Sequence, residues 1–399
     1  MRNILFLSSL FLCATACIYP YTPELDKAPE GVLAVDANIS IGDVSSVLLS
    51  SLLSVWPDGQ EIDPGIRPDR PDVRVWVEDD TGELYPGVPA PSSSGNYETG
   101  FLGNALFTIP TENAPADRSY RLCIEALGEK YVSDWTAVAA PPVIKEIGFS
   151  ADDEIVTVHV SVDGGEEATG YLLLSYDETW EFHVDYAPRF SVTYVQETGQ
   201  LNIEETYSDY SKYWCWKSSD NQLLYPLDYT AMSDSGITSW PITRFSRQDN
   251  RNHRRYCVNI KARTLSKETY RFLKNLENNT GGGDNLFTPS PGEIAGNLHC
   301  ESNPERMVLG YVLFSKTTSK RAWLDSRYLR SSPLHTLYYP MPDKYMDFYR
   351  AGYFPLEELL PDEQEEGMGP YGWGPRNCFD CTAAGGTLKK PDFWDDEEL

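Results

Sequence analysis

The stretch EIVTVHVSVDG, residues 154–164, places Val156, Val158, Val160 and Val162 at every second position. A period of two puts all four side chains on one face of a strand, whereas a helix would scatter them around its circumference. The same alternation recurs in DVRVWVED, where Val73, Val75 and Val77 share a face. Further β-rich runs are GVLAVDANIS, SYRLCIEAL, KYVSDWTAV, NHRRYCVNIKART and ERMVLGYVLFSKTTSKRAWL. Turn chemistry separates them: PDGQEIDPGIRPDRPD is a Pro, Gly and Asp loop, and DDTGE is a hairpin candidate. A chain built this way has to bury sheet faces against one another, so the expected class is mainly β.

The strand spacing predicts an immunoglobulin-like sandwich over residues 31–140. In AVAAPPVIKEIGFS, Pro141 and Pro142 stiffen the chain just before a new strand, which marks a boundary. A larger, elaborated β domain is expected over residues 141–399, and its opening strand resembles the first strand of a fibronectin-type-III sandwich. One helix stands out within it: Ser266 is placed as N-cap, Glu268 lies in the first turn, and Tyr270, Phe272, Leu273 and Leu276 cluster before ENNTGGGD stops it. From Leu334 to Gly374, Pro, Gly, Tyr and acidic residues predict an irregular excursion over the surface.

The chain opens MRNILFLSSLFLCATAC. Arg2, an apolar run from Ile4 to Cys13 and the small residues Ala14, Thr15 and Ala16 before Cys17 are the parts of an export signal. The run is too short to cross a bilayer core of roughly 30 Å as a helix. Residues 1–16 are therefore expected to be a lipoprotein signal peptide, with Cys17 as the acylated residue that holds the protein to outer-membrane lipid. Leu12 is too bulky for Cys13 to take that role. Residues 17–30, with three prolines after Cys17, read as a tether. No later stretch approaches 18 consecutive apolar residues, so acyl chains are the expected hold on the membrane.

The net charge of −27 sets an excess of carboxylates against nucleic acid phosphate and anionic headgroups, so no nucleic-acid partner is expected. Aromatics make up 13% of the chain, with 25 Tyr and 10 Trp, and these rings suit sandwich cores or a sugar-binding face. Tyr213, Trp214 and Trp216 are read as core.

Removing Cys13 and acylating Cys17 leaves Cys123, Cys215, Cys257, Cys300, Cys378 and Cys381. An exported protein with an even number of cysteines points to disulfides. Cys378 and Cys381 form a CxxC, but Gly385, Gly386 and Pro391 follow it and leave no clean helix start to activate a redox thiol. A zinc site would want a second ligand pair at compact spacing, and only His299, beside Cys300, adjoins a cysteine. The favoured alternative is a staple, either Cys378 with Cys381 or one of them with Cys215. Phe393 and Trp394 are then expected to pack the tail against the second domain.

Motifs for catalysis are missing: there is no GxSxG, HExxH or GxxxxGK[ST]. His159 and His183 lie in strand patterns. The acidic clusters DDEI (152–155), DETWEF (177–182) and EELLPDEQEE (357–366) are read as solvated faces, since 60 acidic residues always yield pairs. DGGEE at 163–167 lacks the frame of a calcium loop, and NNTGGGDN at 278–285 ends a helix where a phosphate loop would start one. No catalytic, metal or cofactor residue is assigned, and a non-enzymatic protein is expected.

IYPYTPELDKAPEGVLAVDANIS after Cys17, TLSKETYRFLKNL, NLFTPSPGEIAGNLHCESNPERMVLGYVLFS with SKRAWL, and the closing CFDCTAAGGTLKKPDFW together resemble a family of Bacteroidota lipoproteins catalogued as domain of unknown function 4249. Cys257 and Cys300 look less typical of that family, which implies that they pair with each other here. The resemblance implies an outer-membrane lipoprotein, expected to face the cell exterior, that works beside a TonB-dependent β-barrel transporter in nutrient uptake. The alternative is a surface adhesin or glycan-binding structural lipoprotein without a transporter partner. A hydrolase using an unrecognised carboxylate pair is a third.

Overall fold

A computed structural model describes residues 32–52, 73–90, 104–165, 169–220, 225–232, 235–280, 296–324 and 335–394. The leader, Cys17, the tether and the 57–72 loop lie outside these residues, as do parts of the 163–167 and 278–285 stretches. The chain is mainly β.

In chain order the first strands are β1 (Val32–Ser40), β2 (Val44–Leu52), β3 (Arg74–Asp79), β4 (Leu84–Pro86), β5 (Val88–Pro89), β6 (Asn104–Pro110), β7 (Ser119–Ala126), β8 (Glu129–Ser133) and β9 (Thr136–Ala137). After the Pro141-Pro142 step come β10 (Val143–Ala151), β11 (Ile155–Asp163), β12 (Tyr171–His183), β13 (Phe190–Val195), β14 (Gln200–Glu205), β15 (Trp214–Asp220), β16 (Tyr225–Asp228), β17 (Gly236–Ser246) and β18 (Arg255–Thr264). Helix α1 (Lys267–Thr280) leads to β19 (Leu298–Cys300), β20 (Val308–Ser315) and β21 (Thr318–Trp323). Helix α2 (Tyr345–Arg350) precedes the final pair, β22 (Tyr353–Glu358) and β23 (Tyr371–Pro375).

The first sandwich faces a five-stranded sheet, β20-β1-β2-β6-β5, against a six-stranded one, β19-β8-β7-β3-β4 with β9 on β7. Leu33, Val35 and Phe107 from one sheet meet Val75, Val77 and Leu122 from the other in a single core. The alternation at Val73, Val75 and Val77 therefore does what period two requires. The sandwich is not closed by residues 31–140 alone, however. Residues 298–315, expected in the second domain, return as β19 and β20. Strand β20 runs parallel to β1, Leu33 opposite Val308 through Ser40 opposite Ser315. Parallel neighbours need a long crossover, and here the connection runs from β2 through β19 and includes most of the second sandwich. Alternation within a strand does not encode so distant a partner.

The second sandwich sets β10-β11-β17 against β15-β12-β18-β21, with β16 also on β12. Val156, Val158, Val160 and Val162 pack there with Leu172, Leu174, Trp180, Phe182 and Tyr256. Helix α1 covers the seam between the two sandwiches. The Ser266 hydroxyl accepts from the Thr269 N–H at 3.1 Å, the expected N-cap. Phe272 stacks on Tyr311 of β20 at 4.3 Å, and Tyr270 lies 4.8 Å from Tyr171 of β12. No helix among the described residues is long and apolar enough to cross a membrane.

Residues 335–375 are more ordered than an irregular excursion. Strands β22 and β23 form a hairpin, and fully buried Trp373 packs on Tyr345 of α2 at 5.1 Å. Leu337, Leu356 and Cys378 form a small core beneath them. Tyr345 is buried and Tyr339 packs on this small core, while Tyr338 and Tyr349 stay exposed.

Candidate functional site

The closing CxxC builds the site. Cys381 is bonded to Cys215 of β15, at a Cα–Cα distance of 5.7 Å. Beyond the bond, the tail continues against the same strand: Trp216 and Thr387 exchange backbone hydrogen bonds of 2.9 and 2.8 Å. Gly386 sits so close that a Cβ there would stand 2.5 Å from Cys215 Cβ, so only glycine fits. Trp394 is buried against Trp323, with the Arg255 guanidinium 3.7 Å above the Trp323 ring, and Arg321 lies over Phe393 at 3.8 Å. The tail is thus pinned to the second sandwich as expected.

Two of the expected pairings do not form. Cys378 and Cys381 are not joined, because Cys381 is taken by Cys215 and the Cys378 thiol turns into the core with Leu337 and Leu356. Cys257 and Cys300 do not bond each other: they belong to different sandwiches, on β18 and β19. Burial pushes the Cys378 thiol up to about 11, with the Asp185 charge adding to it. A thiol so held is protonated at neutral pH and is a poor redox nucleophile. Burial likewise lifts Cys123 to about 12.

The stapled turn, residues 376–384, forms a wall between two clefts. On one side is a cleft of about 430 Å³ where Phe190, Tyr207, Phe354 and Phe379 meet Lys212 and Arg376. Its anchor is Asp380, whose side chain is almost fully buried. One carboxylate oxygen accepts from Arg376 Nε at 3.0 Å and from Lys212 Nζ at 3.2 Å, and the other accepts from the Thr382 N–H at 3.0 Å. Burial alone would raise the Asp380 pKa. The hydrogen bonds from Thr382, Arg376 and Lys212 outweigh it and hold the carboxyl well below the usual range. One ionised carboxylate therefore aims two cations at the cleft. The opposite wall is the base of the isolated β13–β14 hairpin, tied down by Thr206 N–H to Arg189 O (2.6 Å) and Asp209 N–H to Pro188 O (2.8 Å).

The second cleft, about 410 Å³, gathers His183, His253 and His335 with Asp185 and Asp249. His183 stacks on Tyr213 at 5.2 Å and lies 4.9 Å from His253. The His335 ring and its backbone N–H both meet the Asp185 carboxylate. Burial first, and then the His183 charge, lowers the His253 pKa below its ordinary 6.5. Among the described residues no group of three or more His, Cys, Asp or Glu is placed to hold a metal ion.

The acidic cluster DETWEF is not a solvated face. Glu178 is buried, accepting from Arg251 Nη2 at 2.7 Å and Tyr256 OH at 2.8 Å, and Glu181 accepts from Arg254 Nη1 at 2.7 Å. Arg251 and Arg254 also cover the Trp180 and Trp214 rings at 4.8 and 4.6 Å. These carboxylates hold the sheet and its cationic cover together. Trp214, Trp216 and Tyr213 are half-buried, and Tyr213 stacks on His183 of the histidine cleft.

Sequence inspection missed the residues that line the first cleft. A signal was present in RNCFD, where Arg376 and Asp380 stand at i and i+4, the spacing of an ion pair on a helical turn. A second was the polar stretch ETYSDYSKYW, where Tyr207, Tyr210 and Tyr213 recur every third residue outside any strand pattern.

No curated protein matches the chain. The family model described as Domain of unknown function (DUF4249) matches residues 18–321, spanning the first sandwich and most of the second and ending before the stapled turn. That match covers well over half of the sequence, and the chain belongs to the DUF4249 family.

Proposed function

We propose that the protein is a lipid-anchored outer-membrane binding subunit, held by acylated Cys17 and facing the exterior, that captures a small ligand for a TonB-dependent β-barrel transporter. The observation that carries this reading is the disulfide-fixed turn at Cys381, which serves as a shared wall of two clefts. A structural disulfide suits an oxidising compartment outside the cytoplasm, in line with the export signal of residues 1–16. Clefts of about 430 and 410 Å³, lined by rings with a few convergent polar groups, have the size and make-up of small-ligand sites. The transporter partnership and the lipid anchor rest on the leader and on the kind of family the chain resembles.

Mild detergent extraction of native membranes, followed by affinity capture of the tagged protein, tests the partnership. A β-barrel transporter in stoichiometric amounts is the expected companion. Capture of the lipoprotein alone would remove the transporter from the proposal and leave a free-standing surface binder. Metabolic labelling with an alkyne fatty acid tests the anchor: label on the wild type and none on Cys17→Ser is expected.

A further inference from the structure

We propose that the cleft between the β13–β14 hairpin and the stapled turn binds a neutral saccharide. This deepens the binding-subunit reading and rests on it for biological context, but its chemistry stands on the cleft alone.

The charges come first. Lys212 and Arg376 contribute two cations, and Asp209 and Asp380 two carboxylates, so the site is formally balanced. An anionic ligand gains no net attraction here, and the chain's overall charge of −27 opposes its approach. A purely apolar ligand fares worse, because it would strip water from the exposed Asp209, Lys212 and Arg376 and return no hydrogen bonds. A ligand rich in hydroxyls satisfies both signs, since its hydroxyls can donate to the exposed Asp209 carboxylate and accept from Lys212 and Arg376.

The rings supply the other half of the recognition. Tyr207 is 99% exposed, an unusual position for so large a ring, and it stands at the rim. Inside, Phe354 and Phe379 lie 5.3 Å apart, and Phe190 is held edge-on to Tyr371 at 5.4 Å. An aromatic face takes the C–H side of a pyranose while the hydroxyl edge turns to charged groups. Asp380 completes the arrangement. By engaging Arg376 through Nε and Nη2 at 3.0 and 2.9 Å it leaves Nη1 for a ligand, and it fixes the guanidinium plane in advance. The side chain of Arg376 is 64% exposed and that of Lys212 47%, so both cations keep donors open.

The test is a glycan array printed with neutral and acidic oligosaccharides, probed with the detergent-solubilised full-length protein, then calorimetric titration of the retained glycan. At least one neutral oligosaccharide is expected to bind, and Tyr207→Ala or Arg376→Gln to weaken it by about threefold or more. Tyr207→Ala removes only an exposed ring, so an unchanged thermal midpoint shows that the fold is intact. Retention of no neutral glycan, retention of acidic glycans only, or a loss under about threefold in both variants overturns the proposal. A protein that binds neutral glycans but captures no transporter defeats the partnership and not the saccharide site. One that captures a transporter but binds no neutral glycan does the reverse.

Discussion

Cys215 and Cys381 are joined across a sequence separation of 166 residues, and the bond sets β15 against the turn at residues 376–384. Closing so long a loop mainly restricts the unfolded chain. Cys381→Ser is expected to lower the unfolding free energy by roughly 2–5 kcal/mol. Urea midpoints under non-reducing conditions measure this. Dithiothreitol should bring the wild type down to the variant's midpoint and leave the variant unchanged; a wild type indifferent to reductant would show that the tail is held by packing alone.

Gly310 lies opposite Val35 where β20 runs beside β1. Its φ is +123°, and an added Cβ would stand 2.0 Å from the Val35 carbonyl oxygen. Gly42 has a φ of +92° with nothing within 4 Å of its Cβ position. Gly42→Ala therefore carries the backbone cost by itself, about 1 kcal/mol. Gly310→Ala adds a backbone collision and is expected to lose well over about 1 kcal/mol, with separation of β20 from β1. Equal losses in the two variants, read by denaturation, would mean that the parallel contact has slack.

The strands were legible because their information is local. Valines 156 to 162 declare a buried face within seven residues, and Ser266 declares a helix start within four. What stayed hidden depended on partners far along the chain. Nothing near Val308 says that it will lie beside Leu33, and nothing near Cys381 distinguishes Cys215 from Cys378 as its partner. The first cleft was hidden for the same reason, since its walls come from residues 188–212 and 354–380 and meet only after both sandwiches have formed. Glu178 was misjudged because an acidic run looks solvated until Arg251 and Tyr256 are seen to close over it.

Asp79 at the end of β3 has no exposed side-chain surface and pairs with Arg118. It also accepts from the Thr81 N–H at 2.9 Å, the Thr81 hydroxyl at 2.7 Å and the Glu83 N–H at 3.0 Å. Burial opposes ionisation, but these donors win and bring its pKa down to about 2. The unfolded carboxyl titrates near 3.9. The folded value is the lower one, so the stabilising contribution is complete above about pH 4 and is lost as pH falls toward about 2. The stability gap between wild type and Asp79→Asn should therefore shrink across that window. Urea midpoints at several acid pH values measure the gap, and a constant gap would refute the assignment.

His253 works in the opposite sense. Burial, reinforced by the His183 ring 4.9 Å away, disfavours its charged form, while the His183 carbonyl at 3.2 Å and the Asp185 and Asp249 carboxylates favour it without prevailing. Its folded pKa lies below the unfolded value of about 6.5. Above that pH both states are neutral and the residue adds no pH dependence. Below it the unfolded chain takes the proton first, so stability falls with pH until the folded ring also protonates. His253→Gln should flatten the stability profile just below about pH 6.5, where the wild type declines. In an imidazole NMR titration the His253 signal should move later, on acidification, than that of an unfolded control. A ring that titrates together with the control would mean that water reaches His253 in the cleft, and that the Asp185 and Asp249 charges offset the burial on which its neutral state depends.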